Sequence, residues 1–296
     1  MKPAVQRSAV AWQPFTPRGI AAFGRAPLGR LLLVQFVVAL IAAVTVTWFV
    51  DTAWCPMITA AISSLPQEGR IRSQQLDWHG AAHQVLAENR FLALAVDLEH
   101  TGAVRSPAHV EVELGKFDIQ IHSLLGYRRI HYRHGWILPC NRVELTPWWG
   151  AWKPPLLAVL TVGLIVLLLI TWRLLAWLYC LPAWLVGFYA NREVLLKGSW
   201  RLSGAALMPG AVLMSIAIIF YRGGMLEVVG LSIAAAAHIV IGWCYLVASV
   251  LSLERHPYAT NSEANPFKED TAAPTNSSSG GGSSPPESPI GAPGQT

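Results

Sequence analysis

Charge is what this sequence has least of. Only 13% of its 296 residues are Asp, Glu, Lys or Arg, against roughly 25% in soluble globular domains, so the composition is that of a membrane protein. Acid is missing altogether from two regions. Residues 1 to 30 hold Lys2, Arg7, Arg18, Arg25 and Arg30 with no Asp or Glu, and the long apolar runs carry no carboxylate either. The second absence excludes a carboxylate dyad inside a bilayer. Enzyme signatures are absent as well: there is no HExxH, GxSxG, Walker loop or glycine-rich dinucleotide motif. The reading is non-enzymatic, with no cofactor.

Apolar residues, by contrast, are abundant and clustered. Leu31 to Val50 has no charge, Pro154 to Ala190 has only Arg173, and Leu202 to Tyr221 and Val228 to Leu253 have none. About 20 apolar residues cross the ~30 Å of hydrocarbon in a bilayer, so each run qualifies. The thirty-seven residues from Pro154 form a helix of about 55 Å if straight. They are read as one span over 154–176, broken by Pro182 into an interfacial segment over 180–200. Two spans turning near Arg173, five in all, are the alternative. The remaining spans are 31–50, 202–221 and 228–253.

The formal charge of +5 is a topology signal rather than a nucleic-acid footprint, because the segment 51–153 holds ten charges of each sign and the excess lies beside the first span. Basic short segments stay cytoplasmic. Residues 1–30 and the loop with Arg192, Lys197 and Arg201 therefore face the cytoplasm, and 51–153 lies outside. The first run is too long for a signal peptide and no small-x-small site follows it, so it reads as an uncleaved anchor. The expected location is a bacterial inner membrane with both termini cytoplasmic. Residues 254–296, rich in Pro, Gly and Ser, are expected to form a disordered tail.

The external hundred residues suffice for a small domain. "PMITAAISSLP" reads as a short helix ending at Pro66, and "FLALAVDL" as a buried strand. "HVEVEL" and "KFDIQIH" alternate strictly, the mark of half-buried strands. Phe117, Ile119 and Ile121 are expected to face the core, and Lys116, Asp118, Gln120 and His122 the solvent. Asp97, Glu99, Glu111 and Glu113 read as sheet-surface residues, and "RRIHYRHGWIL" can supply another strand. The fold class is thus an α-helical polytopic membrane protein of about four spans with a small extracytoplasmic α+β domain built on an antiparallel sheet.

Four cysteines occur, and only Cys55 and Cys140 fall outside the spans, at the two ends of the external domain. In an oxidising compartment a Cys55–Cys140 disulfide is expected; two buried, unpaired thiols are the alternative. Seven of the nine histidines are external. His79 and His83 have the i,i+4 spacing of helical metal ligands, but Gly80 intervenes and no third ligand follows at diagnostic spacing, so no metal is assigned. Within the spans Arg173 and His238 are the ionisable candidates. Arg173 is close enough to the cytoplasmic face to snorkel. His238 is near mid-span, on a face with Gly230, Ala234 and Gly242, and serves either helix packing or a proton or ligand path.

Four stretches resemble a bacterial family of polytopic membrane proteins with a domain of unknown function, some of whose members are associated with maltodextrin utilisation. They are "LPQEGRI", "FLALAVDLEHTG", "LLKGSWRLSGAALMPGAVL" and "CYLVASV", and the similarity runs over roughly residues 30–252. The resemblance implies a first span, an external domain and a carboxyl-terminal bundle, with no catalytic residues to carry over. The chain departs from the family where Leu98, Glu99 and His100 intervene between Asp97 and Thr101-Gly102, and where Gly210, in place of a second proline, follows Pro209. The expected function is sensing or interaction by the external domain; an accessory subunit of a membrane transporter is the alternative. The expected partners are the lipid bilayer and other membrane proteins or further copies of the chain, with no nucleic acid.

Overall fold

The computed structural model describes residues 13–124 and 126–255; Lys2, Arg7 and the Pro/Gly/Ser-rich tail from 256 onward lie outside the described residues. Helix α1 (Pro17–Phe23) is capped by Thr16, whose Oγ1 accepts from the Gly19 N–H at 3.1 Å. Pro27 holds extended backbone just ahead of α2 (Leu28–Phe49), which has no breaker inside it.

The helix does not stop where the apolar run ends. It passes through a π-helical turn, Val50–Trp54, into α3 (Cys55–Ser63). Pro56 falls in the first turn of α3, a position that tolerates a missing N–H. The widened turn presents carbonyls to outside donors. Arg222 Nη2 donates to Thr52 O at 3.1 Å, and Asn89 Nδ2 to Ala53 O at 2.7 Å.

Eight strands follow: β1 (Gly69–Arg72), β2 (Gln75–Trp78), β3 (His83–Glu88), β4 (Leu92–Asp97), β5 (Val110–Leu114), β6 (Asp118–Ser123), β7 (Gly126–His131) and β8 (Leu138–Pro139). They form a three-stranded sheet, β2-β1-β8, and a five-stranded sheet, β3-β4-β5-β6-β7. The larger sheet is mixed rather than purely antiparallel, because β4 and β5 run parallel, with Ala93 opposite Glu111 and Ala95 opposite Glu113. Parallel neighbours need a crossover, and residues 98–109 supply it as a strap.

Helix α4 (Arg142–Tyr189) opens on Asn141, whose Oδ1 accepts from the Glu144 N–H at 2.9 Å while its Nδ2 donates to Glu144 Oε1 at 3.1 Å. This reciprocal cap starts the helix beside the small sheet, where Asn141 Nδ2 also reaches Gly69 O. The helix then runs for 48 residues, about 72 Å. Pro182 does not break it, contrary to the sequence expectation of a break there. Ala183 and Gly187 are buried just beyond the proline, so packing on the bundle holds the helix together where one ladder bond is lost. Helices α5 (Leu196–Ala206), α6 (Met208–Arg222) and α7 (Val228–Leu251) complete the bundle.

Among the described residues four helical stretches, Leu28–Ser63, Arg142–Tyr189, Leu196–Arg222 and Val228–Leu251, are long and apolar enough to cross a membrane. Along α4, Val159, Leu167, Ile170, Leu174 and Trp177 stand exposed, a surface suited to hydrocarbon. The opposite side packs with Leu31, Val38, Leu202, Met208 and Leu246 in the bundle core. Chain direction puts Phe49, Arg142, Arg222 and Val228 at the sheet end, and Leu28, Tyr189, Leu196 and Leu251 at the far end.

The expected Cys55–Cys140 disulfide is not formed; both cysteines are free and buried. Cys140 sits in the apolar cluster with Ala61 and Leu65, and Cys55 lies six residues earlier than Ala61, about 9 Å along the helix axis. Burial also pushes the Cys140 thiol up to about 11, which suppresses the thiolate that oxidation requires. Without reductant, both thiols are expected to resist maleimide in the folded protein and to react in full after denaturation. A cystine peptide in a non-reducing digest would overturn this.

Candidate functional site

Strand alternation gives the larger sheet two faces, and the polar one is covered. Asp97, Glu111, Glu113 and Asp118 are only 0%, 3%, 2% and 5% exposed, whereas the sequence reading placed these carboxylates at the surface. Register explains the clustering. Glu111 lies opposite His122 and Glu113 opposite Gln120, while Gln120 faces Arg129 and Asp118 faces His131. The residues alternating with them, including Leu94, Leu114 and Ile119, pack into the core that contains Ala61 and Leu65 of the α3 region.

The strap covers the acids, and His100 anchors it. The His100 ring sits between two carboxylates, with Nδ1 bonded to Glu113 and Nε2 to Asp118 at 2.6 Å. Ionised carboxylates only accept hydrogen bonds, so a ring facing two of them carries a proton on each nitrogen. Burial alone pushes His100 down, but the bonds and charges of Glu113 and Asp118 outweigh it and leave the imidazole above its ordinary value. The residue also adopts φ +54°, a left-handed conformation uncommon outside glycine and held here by its surroundings. Gly115 makes the space, since a Cβ there would lie 2.3 Å from the His100 ring.

Further bonds fix both ends of the strap. Asp97 accepts from Thr101 Oγ1 at 3.0 Å, from the Gly102 N–H at 2.9 Å and from the Glu99 N–H at 3.3 Å. Burial raises this carboxyl, but those bonds bring it down to about 2. His83 Nδ1 lies 2.9 Å from Asp97 Oδ1. Arg129 Nε and His131 Nδ1 are 3.3 and 3.6 Å from Asp118 Oδ2, and Ser106 Oγ donates to Glu88 at 2.9 Å. On this face Glu111 Oε1 and His122 Nε2 are buried with no hydrogen-bond partner among the described residues.

The strap ends on the helices. His109 Nδ1 bonds the Tyr221 hydroxyl at the end of α6, and the two rings stack 5.6 Å apart. Burial and the Arg90 guanidinium push the His109 imidazole below its ordinary value. Beside it Arg90 Nη2 donates to Leu226 O at 2.8 Å. Phe91 meets Phe49 and Tyr221 edge-on, at 5.3 and 5.1 Å. One segment thus connects the buried acids to α6.

No family model, curated protein or solved structure matches this chain. The site therefore has to be read from its own chemistry.

The remaining sequence candidates lie apart from it. His79 and His83 are not on a helix: His79 follows β2 near Asp77, at 4.0 Å, and His83 opens β3. The i,i+4 argument for shared ligation does not apply to them. Arg173 turns inward, where its Nη2 donates to Gln35 Oε1 at 2.7 Å and the guanidinium lies 5.4 Å from the Trp200 ring. Gln35, fully buried in α2, also donates to Gly204 O at 2.9 Å. His238 bonds Ala235 O of its own helix, and its backbone meets Gly210 of α6. Gly230 instead faces Leu226, and Gly242 faces Ala206 and Leu207. His100, Arg129 and Gln35 were absent from the sequence candidates. The usable signal was four carboxylates and two histidines in register on one strand face, more charge than a solvated face requires.

Proposed function

We propose that this is a non-enzymatic sensing protein of a bacterial inner membrane, with the sheet domain outside and residues 191–201 facing the cytoplasm. Four membrane-length helices support the location. The grouping of Arg25, Arg192, Lys197 and Arg201 at the end remote from the sheets supports the orientation. The observation that carries the sensing role is the strap: His100 at one end is clamped by Glu113 and Asp118, and His109 at the other is bonded to Tyr221.

The stimulus this arrangement suits is acidity. His100 faces Glu113 on β5, Asp118, Gln120 and His122 on β6, and Arg129 and His131 on β7, with Asp97 and His83 on the adjoining strands. While His100 is charged it neutralises buried acid and holds the strap down. When it loses its proton, buried Glu113 faces a neutral ring and Asp118 keeps only the more exposed Arg129 and His131, so the two acids repel more strongly. The strap then loosens at His100 and transmits the change to α6 through His109.

The test places Cys at buried Val104 in a background with all four native cysteines replaced, and measures labelling by an impermeant maleimide on intact cells. An Ala103→Cys protein, exposed on the strap, corrects for thiolate chemistry. Corrected labelling is expected to rise between pH 6 and 9, and to be fast and independent of pH when His100→Gln is added. Flat labelling in the parent refutes strap release. Labelling only in inside-out vesicles refutes the orientation.

A further inference from the structure

At the end of the bundle away from the sheets lies a cavity of about 1030 Å³. Its walls differ sharply in chemistry. On one side stand Trp184, Phe188 and Tyr189 of α4; on the other are Arg25, Arg192, Lys197 and Arg201, against a single lining acid, Glu193. Four cations less one acid leaves +3, and counting Glu254, which binds Arg25 at 3.0 Å, still leaves +2.

Arg25 pairs with Glu254 and Glu193, but the other cations have no acid partner among the described residues. Arg201 Nη1 donates to Ala26 O at 2.9 Å and Arg192 Nη1 to Leu253 O at 2.6 Å, so both are held by carbonyl groups, which orient a guanidinium without cancelling its charge. Arg192 Nε is buried with no hydrogen-bond partner among the described residues. Lys197 has no ion pair or hydrogen bond among the described residues. The cavity is therefore a preformed anion site with donors still unused.

We infer that this cavity binds an anionic phospholipid, with the phosphodiester headgroup among Arg192, Lys197 and Arg201 and the acyl chains along α4. Size and shape argue against a bare phosphate ion. The volume is at the upper end for sites that hold sizeable organic ligands, and the aromatic wall continues into exposed Leu181, Leu178 and Trp177, a track for hydrocarbon. Basic pockets between membrane helices bind such headgroups. The inference rests on the chain crossing a bilayer but not on the strap or on which side the sheets face. The two proposals therefore fail independently.

The experiment uses the purified full chain in nanodiscs of phosphatidylcholine carrying graded phosphatidylglycerol, with lipids retained after detergent transfer counted by native mass spectrometry. The parent is expected to retain phosphatidylglycerol selectively. Lys197→Glu, at a side chain with no hydrogen bond or ion pair to lose among the described residues, is expected to weaken that retention about fivefold or more. Arg192→Gln/Arg201→Gln should abolish selectivity, and the corresponding Lys variants should partly restore it. Equal retention by parent and Lys197→Glu means annular lipid only and overturns the proposal. Loss of phosphatidylglycerol on adding millimolar inorganic phosphate overturns it in favour of a free phosphate ligand.

Discussion

The His100→Ala protein is expected to lose about 3 kcal/mol of stability at pH 6, because it leaves buried Glu113 without the imidazolium it bonds and Asp118 with only Arg129 and His131. The loss should depend on pH with a definite sign. The folded His100 imidazole lies above its ordinary 6.5, so its contribution is complete below that value and disappears as pH rises through the folded pKa. Parent and variant should therefore converge in thermal midpoint as pH rises through the folded pKa, above which both lack the imidazolium. Asp97 behaves oppositely. Its carboxyl is held at about 2 against an ordinary 3.8, so its contribution is present above 3.8 and is lost as pH falls through 2. The sheet domain is accordingly most stable between these limits. Scanning fluorimetry of parent and variant at pH 6 and 9 decides the matter, and equal midpoints at pH 6 would show that the clamp carries no stability.

Gly210→Val should be the most damaging single change in the bundle. A Cβ at Gly210 would lie 2.6 Å from the His238 carbonyl oxygen and 3.4 Å from its carbon. Both are backbone atoms of α7 and cannot swing aside, so α6 and α7 must separate. Overpacking of this kind costs about 1–3 kcal/mol. Gly242→Ala is the matched control, because its Cβ would meet Ala206 O and Leu207 Cδ2 at 3.8 Å, an ordinary contact. Detergent unfolding should rank Gly210→Val far below the parent and Gly242→Ala beside it. His238→Ala should be close to neutral, since its side chain bonds only Ala235 of its own turn. A ranking in which Gly242→Ala falls as far as Gly210→Val would remove the close contact as the cause.

The long apolar helices were legible because about twenty uncharged residues in a row allow few other structures. Their ends were not. Pro56 and Pro182 look like stops, yet one falls in a first turn where its N–H is not needed and the other is held by packing at Ala183 and Gly187. The strands from Val110 and Asp118 were legible from strict alternation, but alternation separates two faces without saying which is buried. Val112 and Leu114 line a shallow apolar hollow with Ile58 and Ala61, while Glu111 and Glu113 disappear beneath a strap that period-two reasoning does not see. The segment Leu98-Glu99-His100, between Asp97 and Thr101-Gly102, carried no periodicity that marked it. Its third residue is the clamp. Gln35 was passed over because an amide is not ionisable, although a lone Gln in a first span needs partners, and it finds Gly204 and Arg173.

The π-helical turn at Val50–Trp54 puts one wide turn in the rod that runs from Leu28 to Ser63, and Arg222 and Asn89 grip its Thr52 and Ala53 carbonyls. Ordinary α spacing at that turn would rotate everything beyond it and lengthen the rod by up to about 1.5 Å, because a π turn fits more residues into the same rise. The bearing of the sheet domain on the long apolar helix is therefore set at this one turn.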